Sequence, residues 1–281
     1  MLSPAADSLS PRDFSRLAEF IQGYSGIRMP PVKKTMVEGR LRRRVRALGL
    51  SSLSEYCSRL FEEGWLESEF VNLINVVTTN KTDFFREPEH FRLLAERVLP
   101  EWVAAGRGLD TPLKVWSAAS STGAEPYTLA MVLDDCARRN RGFRFKILAT
   151  DISTDVLDKA RHAVYPHEMI APVPPEWQRR YFLRSRDTTQ SIVRIVPQLR
   201  QSVHFGRLNL MDESYPVETG LDVVFCRNIL IYFDKPTQQG VLQRLCDHLR
   251  PGGLLFVSHT ETVTGMDLPI RQVAASVFAR K

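Results

Sequence analysis

Two carboxylates stand where the chain passes from strand to helix. Glu125 lies in SAASSTGAEP (117–126), between the β-branched run LKVW and an apolar helical pattern, and Asp151 closes FKILATD. Such turns usually cradle a cofactor, yet a dinucleotide-binding turn needs three spaced glycines and only Gly123 is here. A carboxylate in the first turn of a helix repels phosphate and suits a positive charge. An acid at the end of the second strand is placed to accept both hydroxyls of a ribose. Each has a plainer use: Glu125 could satisfy the helix dipole, and Asp151 could cap the helix beginning near Ser153, although Ser153 or Thr154 could do that too. Together they describe a pocket for a phosphate-free, cationic nucleoside, and S-adenosyl-L-methionine, with its sulfonium and α-amino groups, is one.

The elements that must position these residues follow from periodicity. From Leu113 onward apolar strands alternate with helices: LKVWSAA and a helix to about Arg139; FKILATD and a helix over 153–162; LDVVFCRN and a helix from about Pro236 to Leu249; then GGLLFVSH. That alternation predicts a parallel sheet covered on both faces, whose ligands bind beyond the carboxyl ends of the strands. Between Tyr165 and Gln201 the pattern breaks among Pro166, Pro172, Pro174, Pro175 and Pro197. SIVRIV and SVHFGRL around PQLRQ read there as a hairpin in a small inserted β subdomain, with an exposed edge strand in residues 190–206. Before Pro88 the chain is helical. Ser10 caps a helix starting at Pro11, with Phe14, Leu17, Ala18 and Ile21 on one face; residues 31–47, SSLSEYCSRLFEE and ESEFVNLINVVTT supply three more helices of a small bundle.

The 281 residues, 43% hydrophobic and 25% charged, suit a soluble globular protein with one or two domains. No apolar run reaches the roughly 18 residues of a membrane span, and MLSPAADSLSPRDF lacks a signal-peptide core. Cys57, Cys136, Cys226 and Cys246 form no CxxC pair and read as reduced thiols of a cytoplasmic protein, with no metal site expected. The formal charge of +6 is concentrated. Lys33, Lys34, Arg40, Arg42, Arg43, Arg44 and Arg46 fall on one predicted helix, with only Glu38 inside the cluster to pair with.

Five segments resemble the CheR family of chemotaxis receptor methyltransferases: TTNKTDFFRE (78–87), WSAASSTGAEPYTLAM (116–131), ATDIS (149–153), FCRNILIYFD (225–234) and LRPGGLLFVSHTET (249–262). The resemblance implies an α/β fold: a Rossmann-like S-adenosylmethionine-dependent methyltransferase domain (93–281) with a β-subdomain insert at about 165–205, an N-terminal helical, receptor-docking domain (1–82), and a connecting segment (83–92) that contributes to the cofactor site. It implies that Asn80, Thr82 and Arg86 lie over the cofactor, Glu125 meets its amino group and Asp151 its ribose. Asn209 and Leu210 would flank the adenine, Arg227 and Asn228 would line the pocket, and Tyr232, with Arg86, would serve the transfer. More plainly, Asn80 could cap a helix, Arg86 could pair with Glu87 or Glu89, and Tyr232 could be core. Ser258 and Thr262 depart from the Gly and Asn frequent in that family's last motif and receive no contacts.

The implied reaction is methylation of receptor glutamates, leaving S-adenosyl-L-homocysteine. A glutamate, with a reference pKa near 4.3, is already ionised at neutral pH, so no base is required and the six histidines need not be catalytic. The basic helix would dock the acidic helical methylation region of a chemoreceptor, and a receptor tail could add a strand to the insert. The enzyme would be a cytoplasmic monomer recruited to membrane receptor arrays, without nucleic acid or membrane insertion. Two rivals stand: a non-catalytic adaptor binding the cofactor or receptor, and a nucleic-acid methyltransferase, which would commonly place Asn/Asp-Pro-Pro-aromatic where this chain has CRNILIYF.

Overall fold

The computed structural model describes residues 7–187 and 189–281. Four helices come first: α1 (Pro11–Ser25), α2 (Lys34–Ala47) after a 3₁₀ turn Pro31–Lys33, α3 (Leu53–Phe61) and α4 (Leu66–Val77). Ser10 Oγ accepts from Asp13 N at the start of α1, and Ser52 Oγ from Glu55 N at the start of α3, each satisfying an orphan donor. Gly26 ends α1 with φ 74°, and a Cβ there would lie 2.7 Å from Met211 Sδ, so glycine lets the helix end press against the second domain.

The connection then runs through α5 (Pro88–Leu93), a π turn and α6 (Leu99–Ala104) into alternating strands and helices. These are β1 (Leu113–Ala118), α7 (Ala124–Arg139), β2 (Phe145–Asp151), α8 (Thr154–His162), β3 (Val164–Pro166), α9 (Pro175–Tyr181), β4 (Phe182–Arg184), β5 (Ile192–Ile195), α10 (Pro197–Gln201), β6 (Val203–Arg207), β7 (Leu221–Cys226), α11 (Lys235–His248), β8 (Leu249–Phe256), β9 (Ile270–Ala274) and β10 (Val277–Arg280). The main sheet is ordered β6-β2-β1-β7-β8-β10-β9, parallel from β6 to β8 and antiparallel at β10 and β9. From β1 the chain winds outward through β2 to β6, then returns to β7 on the other side of β1. The order therefore reverses between β1 and β7, and the crevice beyond their carboxyl ends is where such sheets take ligands.

Both faces of the sheet are buried. Trp116, Val224 and Leu255 face the core shared with α11 and the helical domain, while their chain neighbours Val115, Val223 and Phe256 face α7. The helical domain thus packs onto one face of the sheet.

The expected hairpin is not formed. SIVRIV supplies β5, the central strand of a separate sheet ordered β3-β5-β4, whereas SVHFGRL supplies β6, the parallel edge of the main sheet in register Ile147↔Val203. PQLRQ is α10, with Pro197 at its first turn; proline's fixed φ starts a helix as readily as a turn, and the helix carries the chain from one sheet to the other. Within residues 190–206, β6 is therefore an edge of the large sheet, and the edges of the small sheet are β3 and β4.

Candidate active site

At the reversal of strand order lies an open cavity of about 1010 Å³, lined by Asn80, Thr82, Arg86, Glu125, Asp151, Asn209, Leu210, Arg227, Asn228 and Tyr232, every residue expected at the cofactor and the transfer. Helical-domain residues Ile27, Met29, Lys33 and Met36 complete the wall. Neither histidine nor cysteine is among the described lining residues.

The loop after β1 is shaped by backbone strain. Ala119 (φ 58°) and Ser121 (φ 51°) take left-handed conformations without glycine's freedom. Ser121 N donates to Asp151 Oδ2 at 2.8 Å, and Ser121 Oγ to Asn80 O at 2.8 Å, so this loop, the end of β2 and the interdomain segment are laced together. At Gly123 (φ 92°) a Cβ would come within 2.9 Å of Ala160 Cβ and Tyr165 Oη. The lone glycine of the motif serves close packing of the turn.

Asp151 is buried, and its other oxygen accepts from Ser153 N at 2.9 Å. Burial raises its pKa, while the amide donors of Ser153 and Ser121 oppose the rise. Neither Ser153 nor Thr154 caps α8 with its side chain; Asn75 Oδ1, from α4, accepts from Thr154 N at 3.0 Å. Asp151 thus braces the loops while keeping lone pairs on both oxygens.

Glu125 opens α7. Ser117 Oγ donates to its Oε1 and Arg227 Nε to its Oε2, both at 2.7 Å. The charge that the sequence left open at the helix N-terminus is therefore partly met by an arginine. That arginine has a second claimant: Arg227 Nη1 lies 3.6 Å from Glu87 Oε2, donates to Arg86 O at 2.8 Å, and faces His90 Nδ1 at 3.2 Å. His90 is buried beside it, and burial together with the Arg227 charge lowers its pKa to about 4, so it is neutral. Two carboxylates with one guanidinium leave one negative charge.

Glu87, Ser258 and Glu261 carry weight that the sequence did not announce. Glu87 Oε1 accepts from Ser258 Oγ at 2.7 Å and Asn228 Nδ2 at 3.2 Å. Burial pushes its pKa up, but those donors and the Arg227 charge outweigh that and hold it below the usual range. Glu261 accepts from Leu230 N (2.7 Å) and Ser258 N (2.8 Å), fixing the loop that carries Tyr232. The visible signal was adjacency: Glu87 follows Arg86, and Ser258 and Glu261 sit in SHTET. Glu87, His90 and His259 bring ligand-type atoms within 4.8 Å of one another, but the cation held beside them is the Arg227 guanidinium.

Arg86 pairs with neither Glu87 nor Glu89; its Nη1 donates to Lys81 O at 3.1 Å, and Glu89 pairs with Arg92. Asn80 Nδ2 donates to Thr78 Oγ1 at 3.2 Å. Asn209 is pinned, its Nδ2 donating to Tyr24 O (2.7 Å) and its Oδ1 accepting from Met211 N (3.1 Å). Tyr232 is half-buried, with Lys33 Nζ 5.1 Å from its ring centre; its hydroxyl bonds none of the described residues.

The basic helix is more committed than its sequence showed, because partners come from outside the cluster. Arg44 forks onto Glu69 (2.6 and 2.7 Å) and Arg42 Nη2 donates to Asp7 O (2.7 Å). Arg40 Nη1 donates to Val77 O (2.5 Å) and Thr78 O (2.9 Å), clamping the segment that leads to Asn80. Lys33 donates to Arg28 O, Lys34 pairs with Glu38, and Arg46 Nε donates to Arg42 O. Arg43 is exposed, with no hydrogen bond or ion pair among the described residues.

Residues 12–78 match the family model described as CheR methyltransferase, all-alpha domain, and residues 80–279 match CheR methyltransferase, SAM binding domain. The chain is 39% identical over 272 residues to a chemotaxis protein methyltransferase of Escherichia coli (strain K12), covering 97% of this chain and 92% of that one. It is 40% identical over 269 residues to chemotaxis protein methyltransferase 2 of Pseudomonas aeruginosa, covering 95% and 92%. The chain belongs to the CheR methyltransferase family, and its cofactor is S-adenosylmethionine. The cavity fits that molecule: Ser120 Oγ is buried in its wall without a partner among the described residues, and the surplus negative charge around Arg227 favours a cation. No helix among the described residues is long and apolar enough to cross a membrane.

Proposed function

We propose that this protein transfers methyl from S-adenosyl-L-methionine to side-chain carboxylates of glutamates on the acidic cytoplasmic helices of chemoreceptors, forming methyl esters. The observation that carries the reading is the division of charge in the cavity. Glu125 and Asp151 already hold donors, Arg86 has no carboxylate partner among the described residues, and no described histidine or cysteine lines the wall to act as base. A nucleophile entering such a site must arrive deprotonated and negative, as a glutamate does at neutral pH. Chemotaxis protein methyltransferases among the relatives agree with this choice of acceptor.

The cofactor, when bound, supplies an electrophilic methyl on a sulfonium sulfur. Glu125 would take its amino group, Asp151 its ribose hydroxyls, and the pinned Asn209 with Leu210 would flank its base, while Asn80 and Thr82 close over it. Arg86 holds and aims the incoming carboxylate. A tighter grip would be counterproductive, because the reaction neutralises charge and a strong ion pair stabilises the ground state more than the transition state. Tyr232, its hydroxyl free to rotate, orients one carboxylate oxygen. Rate enhancement then comes chiefly from alignment, for which about 7–11 kcal/mol is the upper range. The exposed Arg43 and its basic neighbours on α2 would attract the acidic helix from a distance.

Incubation with methyl-labelled cofactor and receptor-containing membranes tests the reading. Base-labile label released as volatile methanol is expected; base-stable label would mean transfer to nitrogen, and no transfer would mean an adaptor. Tyr232→Phe should lower kcat about tenfold with cofactor affinity unchanged, measured by the same release assay; full turnover would remove the hydroxyl from the mechanism.

A further inference from the structure

Glu87 is the point where three loops over the cavity meet. Its carboxylate receives Asn228 Nδ2 from the loop after β7, and Ser258 Oγ and His259 N (3.3 Å) from the loop after β8. It belongs to the segment that carries Arg86, and that segment is strained: Phe85 (φ 54°) and Glu87 (φ 56°) are both left-handed, on either side of Arg86. A strained segment persists only where surrounding contacts over-determine it, and Glu87 supplies those contacts. Glu87 does not line the cavity, yet it shares Arg227 with Glu125, which does.

We infer that Glu87 is a positioning residue. By competing for Arg227 it prevents that arginine from neutralising Glu125, and by bridging to Asn228 and Ser258 it fixes the backbone from which Arg86 projects. Without Glu87 the cluster would be Glu125 and Arg227 alone, with no net charge and no preference for a cation. With it, the cluster keeps one negative charge beside the cavity, screened little because Arg227 is 6% exposed. The cavity would then favour the sulfonium cofactor over its demethylated product, S-adenosyl-L-homocysteine, which lacks that cation. The inference rests on the cavity holding S-adenosylmethionine and is independent of which acceptor is methylated.

Calorimetric titration of the full chain with each compound tests it. Glu87→Gln keeps an acceptor for Ser258 and Asn228 but removes the charge; it should weaken S-adenosylmethionine roughly tenfold and S-adenosylhomocysteine clearly less, narrowing the ratio of the two affinities. Glu87→Asp keeps the charge on a shorter arm and should leave that ratio near wild type even where both ligands weaken. A Gln variant with the wild-type ratio, whether its affinities are unchanged or equally reduced, overturns the charge-sharing role and leaves Glu87 a structural bridge. Should the Gln variant fail to fold, the Asp variant decides: a preserved ratio supports the inference and a collapsed one overturns it. Failure of the wild-type protein to bind either compound would overturn the cofactor site itself, a result seen before any variant is made.

Discussion

Two arginines, one in each domain, meet buried carboxylates, and they do so differently. Arg44 on α2 forks both oxygens of Glu69, which Tyr56 Oη and Asn72 Nδ2 also supply with donors, so charge is matched one for one. Arg227, at the end of β7, is divided between Glu125 and Glu87 while His90 beside it stays neutral, so charge is left over. The matched pair lies among the side chains that hold α2, α3 and α4 together; the unmatched one lies in the wall of the cavity. Two ion pairs of similar length can therefore have different uses, and the remainder after neutralisation distinguishes them.

The largest expected effect would break the comparison on the structural side. Arg44→Ala strands Glu69 in the helical core and should cost about 3 kcal/mol, lowering the melting temperature by roughly 6–12 °C in a thermal melt. A change below about 0.5 kcal/mol would place Arg44 with the solvated cations. The next effect concerns the neutral histidine. In the unfolded chain its pKa is near 6.5 and in the fold about 4, so as pH falls through 6.5 the unfolded state takes a proton that the fold refuses. Its contribution is full above 6.5 and lost progressively down to about 4. His90→Gln should remove that part of the acid destabilisation, so denaturant midpoints of the two proteins should converge between pH 6.5 and 4. The smallest effect on the fold belongs to the free cation. Arg43→Glu should alter stability by no more than about 0.5 kcal/mol and leave S-adenosylhomocysteine affinity intact. It should slow receptor methylation at low salt, with the deficit shrinking as ionic strength rises; a deficit independent of salt would deny long-range attraction.

Most of the architecture could be read from local pattern. Ser10 before Pro11, the apolar spacing along α1 and the strand-to-helix turn at Gly123 act between residues a few positions apart, so the chain declares them directly. The hairpin over 190–206 was misread because β5 and β6 look alike as short apolar runs. Which sheet each joins depends on α10 turning the chain and on β2 offering an open edge.

Residue types and spacing also told what kind of ligand the cavity takes, since a carboxylate in the first turn of α7 and a lone glycine exclude a phosphate nest whatever the rest of the fold does. They did not tell how the charges are settled. Arg44 meets Glu69 across 25 residues, Arg227 meets Glu125 across 102, and Ser258 meets Glu87 across 171. A charged side chain chooses its partner by proximity in space, and proximity at those separations exists only once the helical domain has docked on the sheet and the strand order has reversed. The seven cations of 33–46 carry one formal sign in the sequence, but their division into clamps, ion pairs and the free Arg43 came from packing.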